Sequence, residues 1–296
     1  MFEFIVSSLT VAGIYALMAL GLNLQAGYAG LLNFGHIVFA GIGAYSTGIF
    51  IREGWGAFPG AVAGVCLAVG LGWIIARLGR ELGADYWAIV TLAIAEIIRT
   101  VANNETWLTE GAQGIGNLPS LFNGWPRPYD SIGFLVFTFL MVLLAALFCR
   151  RLGNGRLGRA LRVMREQPGL AACMGYNLTA LKSRALMSAA AVTAIGGSLY
   201  AHFMSFVGPD YMMASETFLL WTMVMIGGLG NTAGVIVGVI LVQGAYTMVP
   251  FARQMLGFGS DMAASLRLGL IGLILLSCLL WRTEGLLPER LRKVKA

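Results

Sequence analysis

The chain has 296 residues, of which 58% are hydrophobic and 11% charged, and its formal net charge is +6 at pH 7. So few charges cannot cover a soluble surface of this length. Apolar runs of about 20 residues recur, each long enough to cross a hydrocarbon core of roughly 30 Å, and their continuity excludes a β-barrel. The expected fold is all-α, a polytopic transmembrane helical bundle of about 8–10 spans, some interrupted, making one transmembrane domain over residues 1–296. The basic excess does not indicate nucleic acid, because these residues flank apolar runs, where they report orientation.

Nine apolar segments follow in chain order: 4–24, 31–50, 58–78, 85–102, 131–149, 184–206, 216–229, 233–250 and 265–281. The N-terminus, MFEFIVSSLT, lacks a basic region and leads directly into the first span, so a cleaved signal peptide is not expected. Segments two and seven are broken by glycine and polar residues, and all eight prolines fall at ends or connections, where a missing N–H costs least.

Orientation follows from lysine and arginine. Arg77 and Arg80 mark the 77–84 turn as cytoplasmic, as do the 150–184 connection and the basic tail WRTEGLLPERLRKVKA. The N-terminus is then external and the C-terminus cytoplasmic. The weakly charged connection 103–130, with three prolines and four glycines, is expected to be a folded external cap. The segments 30–45 and 228–246 share a glycine-rich start, an asparagine and a closing Gly-Ala-Tyr, a pattern compatible with transporter repeats or with chance.

Polar groups within spans face a cavity, another helix or a solute path. The candidates are Asn23, Gln25, Asn33, His36, Glu96, Arg99, Glu216, Asn231 and Gln243. Glu96 and Arg99 share a helix face, as a structural ion pair or as a pathway-lining pair. His36 can make a helix–helix hydrogen bond or line a path. A metal site would need further ligands, and His202 is the only other histidine. Asn231 sits where glycine permits irregular backbone, again structural or a constriction. The four cysteines, Cys66, Cys149, Cys173 and Cys278, show neither metal nor redox spacing. No HExxH, GxSxG or Walker motif occurs, so any ATP used is hydrolysed by another chain.

The 150–184 connection gathers Arg150, Arg151, Arg156, Arg159, Arg162, Arg165, Lys182 and Arg184 against the single acid Glu166. Positive-inside sorting accounts for the charge but not for the length. The stretch reads as two short helices, GRLGRALRVMRE and GLAACMG, separated at Pro168 and Gly169, a docking element that offers small residues and cations to a neighbouring subunit.

The stretches GLNLQAGYAGLLNFGHIVFAGIGAY, DYWAIVTLAIAEIIR, LTEGAQGI, GRALRVMREQPGLAACMGYNLTALKSRA and VMIGGLGNTAGVIVG together cover most of the chain. In this order they resemble the LivM-type permease of branched-chain amino acid ABC importers. The resemblance implies the branched-chain amino acid/ribose permease fold type in a bacterial cytoplasmic (inner) membrane. It implies as partners a second homologous, LivH-like permease, two cytoplasmic ATPase subunits, an external solute-binding protein and the lipid bilayer.

No cofactor is expected on this chain, ATP and Mg²⁺ being used by the ATPases. The coupling loop would hold Arg159, Arg162 and Arg165. Of the family's Glu-Ala-Ala, three residues, Gly pattern only Ala171 and Gly175 remain, with Ala172 as a neighbour, since Gly169 and Leu170 replace its first two positions. The translocation pathway would pass Asn33, His36, Glu96 and Asn231. Branched-chain or related amino acids are the expected cargo, with urea, short amides or aromatic acids as the alternative. A secondary transporter would need embedded carboxylates, for which Glu96 and Glu216 are the candidates, and a membrane-embedded enzyme would need a clustered His, Asp or Cys set.

Overall fold

A computed structural model describes residues 2–256 except 123, 125 and 127, together with 269, 272, 273, 276, 277, 280 and 285–289. Eight of the nine apolar segments appear as helices; the ninth, 265–281, lies largely outside the described residues. The helices are α1 (Phe2–Asn23), α2 (Ile37–Arg52), α3 (Ala57–Leu78), α4 (Ala84–Asn104), the single turn α5 (Thr106–Thr109), α6 (Tyr129–Asn154), α7 (Arg156–Glu166), α8 (Pro168–Cys173), α9 (Leu178–Met204), α10 (Ala214–Gly227) and α11 (Thr232–Leu256). A π-helical turn, Leu24–Tyr28, extends α1. Four of these are long and apolar enough to cross a membrane: Phe2–Tyr28, Ala57–Leu78, Tyr129–Asn154 and Leu178–Met204. Helices α2 and α10 are shorter, as the glycine interruptions led one to expect, and α2 begins at Ile37 rather than near 31 because Gly30 adopts a left-handed φ of 67°.

Helices α1, α2 and α9 form the buried centre. On α9 small residues make up much of the buried face: Ala185, Ala189, Ala190, Ala194, Gly196, Gly197, Ser198 and Ala201 are buried, beside larger ones such as Leu186 and Leu199. Lipid offers no hydrophobic advantage over a leucine side chain, so helices associate where small residues let backbones approach. A Cβ on Gly43 would overlap the carbonyl oxygen of Ala194, and one on Gly197 would overlap that of Ala40, so α2 and α9 interlock reciprocally. Hydroxyls complete the seam: Thr47 Oγ1 donates to Ser198 Oγ at 2.9 Å, and Ser198 Oγ lies 3.1 Å from the carbonyl oxygen of Gly43. Outside, α6 turns Val136, Phe139, Leu140, Leu143, Leu144, Leu147 and Phe148 away from the bundle, a surface suited to hydrocarbon.

The two ends of the bundle differ. At one, the 103–130 connection is held by long-range pairing: Ile115 and Val207 exchange backbone hydrogen bonds of 2.8 and 2.9 Å, and His202 Nδ1 lies 2.8 Å from the Pro119 carbonyl oxygen. Buried backbone groups need such partners, which accounts for a structured cap in a loop rich in glycine and proline. At the other end lie α7, α8, the π-turn, the 77–84 turn and the α10–α11 turn. The N-terminus lies at the cap end and segment 285–289 at the loop end.

Candidate functional site

Two features stand out. The first is a cavity of about 360 Å³ in the cap-ward half, between α1, α2, α9, the short 3₁₀ turn Pro209–Met212 and the start of α10. Its apolar wall is Met18, Ile37, Ala40, Gly41, Ala44, Gly197 and Met213, and its polar wall is Tyr15, Tyr200, Asp210, Tyr211 and Glu216. Tyr15 Oη donates to Glu216 Oε2 at 2.8 Å, bridging α1 and α10. The Tyr200 ring stands edge-on to Tyr15 and Tyr211, with centroids 6.3 and 4.8 Å away. The chamber is therefore aromatic and anionic on one side and aliphatic on the other.

Asn33, His36, Glu96 and Asn231 are not among the residues that line this cavity. Asn33 and His36 are fully buried in a hydrogen-bond chain between helices and do not line the cavity. Asn33 Nδ2 donates to Gln25 Oε1 at 2.8 Å, and Gln25 Nε2 then donates to His36 Nδ1 at 3.0 Å. Because Nδ1 accepts, the ring proton sits on Nε2, which faces the Met18 carbonyl oxygen at 3.1 Å and Thr193 Oγ1 at 2.9 Å. Trp221 Nε1 donates to the Asn33 carbonyl oxygen at 3.1 Å. These groups tie α1, α2, α9 and α10 together. Among the described residues no group of three metal-binding side chains occurs. Glu96 and Arg99 do pair, on the outward face of α4. Asn231 lies at the loop end, where its Oδ1 accepts from Ala233 N at 3.0 Å and starts α11. Asn33 makes the same short turn, its Oδ1 accepting from Gly35 N at 2.9 Å, but four residues ahead of α2 rather than at its start.

The second feature is the loop end. As read from the sequence, 150–184 holds two helices, α7 and α8; the break is at Gln167, in an extended conformation, and Pro168 opens α8, where its missing N–H is harmless. Arginines three residues apart rotate by about 60° around a helix axis, so the four on α7 cannot share a face. Arg156 and Arg159 point outward, whereas Arg162 and Arg165 are turned inward. Arg162 Nε donates to Glu289 Oε1 at 2.5 Å and its guanidinium covers the Tyr28 ring at 5.1 Å. Arg165 Nη2 donates to Glu289 Oε2 at 3.0 Å, and Nη1 to the Gly27 carbonyl oxygen.

The end of α8 is exposed. Leu170 and Met174 are 50% and 58% exposed, with Ala172, Cys173, Gly175 and Tyr176 also exposed, while Ala171 is buried and seats the helix. Gly175 has φ 83°, which turns the chain back toward α9.

A profile of the family described as "Branched-chain amino acid transport system / permease component" matches residues 4–279. This chain is a member of that family. The high-affinity branched-chain amino acid transport system permease protein LivM of Escherichia coli K12 is 31% identical, over 94% of this chain and 69% of the relative. The probable permease LivM of Methanocaldococcus jannaschii is 25% identical over 94% and 91%, and LivH of Escherichia coli K12 is 28% identical over 78% and 80%. No solved structure matches. Within this permease the cavity groups Tyr15, Tyr200, Asp210 and Tyr211 escape sequence reading because the fold gathers them from α1, α9 and the turn Pro209–Met212. Only Glu216, a carboxylate inside an apolar run, carried a visible signal.

Proposed function

We propose that the chain is a permease subunit of an ATP-binding cassette importer for branched-chain amino acids, acting in a bacterial cytoplasmic membrane with the loop end inside. It pairs with a second homologous permease, receives solute from an external binding protein, and is driven by two ATPases that use ATP and Mg²⁺. The observation that carries this reading is the family match across nearly the whole chain, joined to a two-helix loop whose tip projects from one end. In this reading the apolar knob of Leu170 and Met174 seats in an ATPase cleft, with Arg159 at its rim; Arg162 and Arg165 work inward. ATPase closure moves the loop, and the bundle exchanges two conformations whose populations nucleotide and solute bias.

The cavity serves the solute: its carboxylates meet the ammonium group and its aliphatic wall the branched side chain, in a volume within the ordinary range of small-molecule sites. Glu216→Gln keeps an acceptor for Tyr15 but removes the charge. Uptake is expected to fall about 10-fold or more, since a hydrogen bond to a charged group contributes roughly 1.5–3 kcal/mol, with protein abundance unchanged. If abundance falls in step with uptake, Glu216 is structural.

The reading is tested with proteoliposomes containing both permeases, the ATPases and the binding protein. ATP-dependent accumulation of leucine supports it. Uptake without the ATPases that collapses with a proton gradient contradicts it and favours a secondary transporter.

A further inference from the structure

Glu289 lies in a predominantly basic tail, yet its side chain is 14% exposed and meets two arginines that are themselves 17% and 25% exposed. The short stretch that carries it is fastened to the α10–α11 turn. Leu286 N donates to the Ile226 carbonyl oxygen at 2.8 Å and Leu287 N to that of Gly227 at 3.1 Å. Asn231 Nδ2 donates to the carbonyl oxygens of Leu287 and Pro288 at 3.1 and 3.3 Å. Gly285, with φ 73°, packs against Gly228 so closely that a Cβ there would overlap its backbone. The carboxylate thus joins loop helix α7 to the loop end of α10.

From that junction two rigid paths reach the cavity. Helix α10 runs from Gly227 back to Glu216, and α1 runs from the π-turn back to Tyr15, each spanning about 15–20 Å at 1.5 Å per residue. The two paths meet again at the Tyr15–Glu216 hydrogen bond. The same arginines grip both: Arg165 binds the Gly27 carbonyl oxygen, and Arg162 covers Tyr28.

From this arrangement we infer that Glu289 is a positioning residue, a clasp that transmits displacement of the coupling loop to the α1–α10 contact at the cavity. It rests on the ATP-driven reading above. Largely buried, it is little screened by salt, and it holds the two elements in register. Without it α7 moves with the ATPases while α10 does not follow, so ATP is hydrolysed without solute movement.

The test is the ratio of leucine transported to ATP hydrolysed, measured per assembled complex in the proteoliposomes. Glu289→Gln is expected to lower the ratio at least five-fold with hydrolysis retained, and Glu289→Asp to restore most of it. Replacing Arg162 and Arg165 together by glutamine, which also removes the grip on Gly27 and Tyr28, is expected to lower the ratio at least as far, with no further loss when Glu289→Gln is added. A wild-type ratio in Glu289→Gln overturns the inference, as does a failure of assembly that Glu289→Asp does not reverse. If the wild-type complex itself shows no ATP-driven uptake, the permease reading fails rather than the clasp.

Discussion

Replacing both Leu170 and Met174 by aspartate is expected to abolish ATP-driven uptake while the helical bundle still inserts and folds. Both side chains project from α8 and its turn, and neither belongs to the buried core. An apolar anchor buried at the centre of a protein interface typically contributes 2 kcal/mol or more, so even one loss weakens association about 30-fold. Aspartate adds the cost of burying a charge. Co-purification of the ATPases and uptake should therefore fall together. Arg159→Glu, at the rim, is expected to have a smaller effect that grows at low salt, since rim charges act on association rate. Retention of the ATPases by the double aspartate variant would place the docking surface elsewhere.

The other large effect concerns folding. Gly43→Val and Gly197→Val should each remove most of the detergent-stable protein, because each Cβ would overlap a backbone carbonyl of the facing helix, and backbone cannot step aside as a flexible side chain can. Overpacking a well-filled core costs about 1–3 kcal/mol, and separating α2 from α9 also breaks the Thr47–Ser198 seam. Gly70→Val supplies the control, since nothing lies within 4 Å of a Cβ at that position. Size-exclusion profiles of the three variants check this: a single sharp peak for Gly70→Val and little protein for the others. Equal yields for all three would contradict the interlock.

Much of the bundle was legible because hydropathy is a local signal: a span announces itself within its own 20 residues. The two-helix loop was legible too, from its length and from Pro168, although the chain breaks at Gln167 and Pro168 and Gly169 belong to the start of α8. The site was harder because a side chain's partners are distant in sequence. His36 was recognisable as unusual, but its contact with Thr193 spans 157 residues, so a helix tie and a pathway lining read alike. Arg162 and Arg165 appeared as part of a surface charge cluster because Glu289, 127 and 124 residues away, is hidden among basic neighbours in ERLRKVKA. The cavity was harder still: its walls come from five stretches, α1, α2, α9, the turn Pro209–Met212 and α10, and only Glu216 stood out beforehand, as a carboxylate inside an apolar run.

Sidedness and contact of the α8 tip can be read together, because Cys173 is exposed there. A variant with Cys66, Cys149 and Cys278 replaced leaves that thiol as the only one. In inside-out vesicles a membrane-impermeant maleimide should label it readily when the ATPases have been stripped away, and poorly once they are added back. Labelling from outside intact cells, or labelling in vesicles that the returned ATPases do not reduce, would contradict an importer driven through this loop.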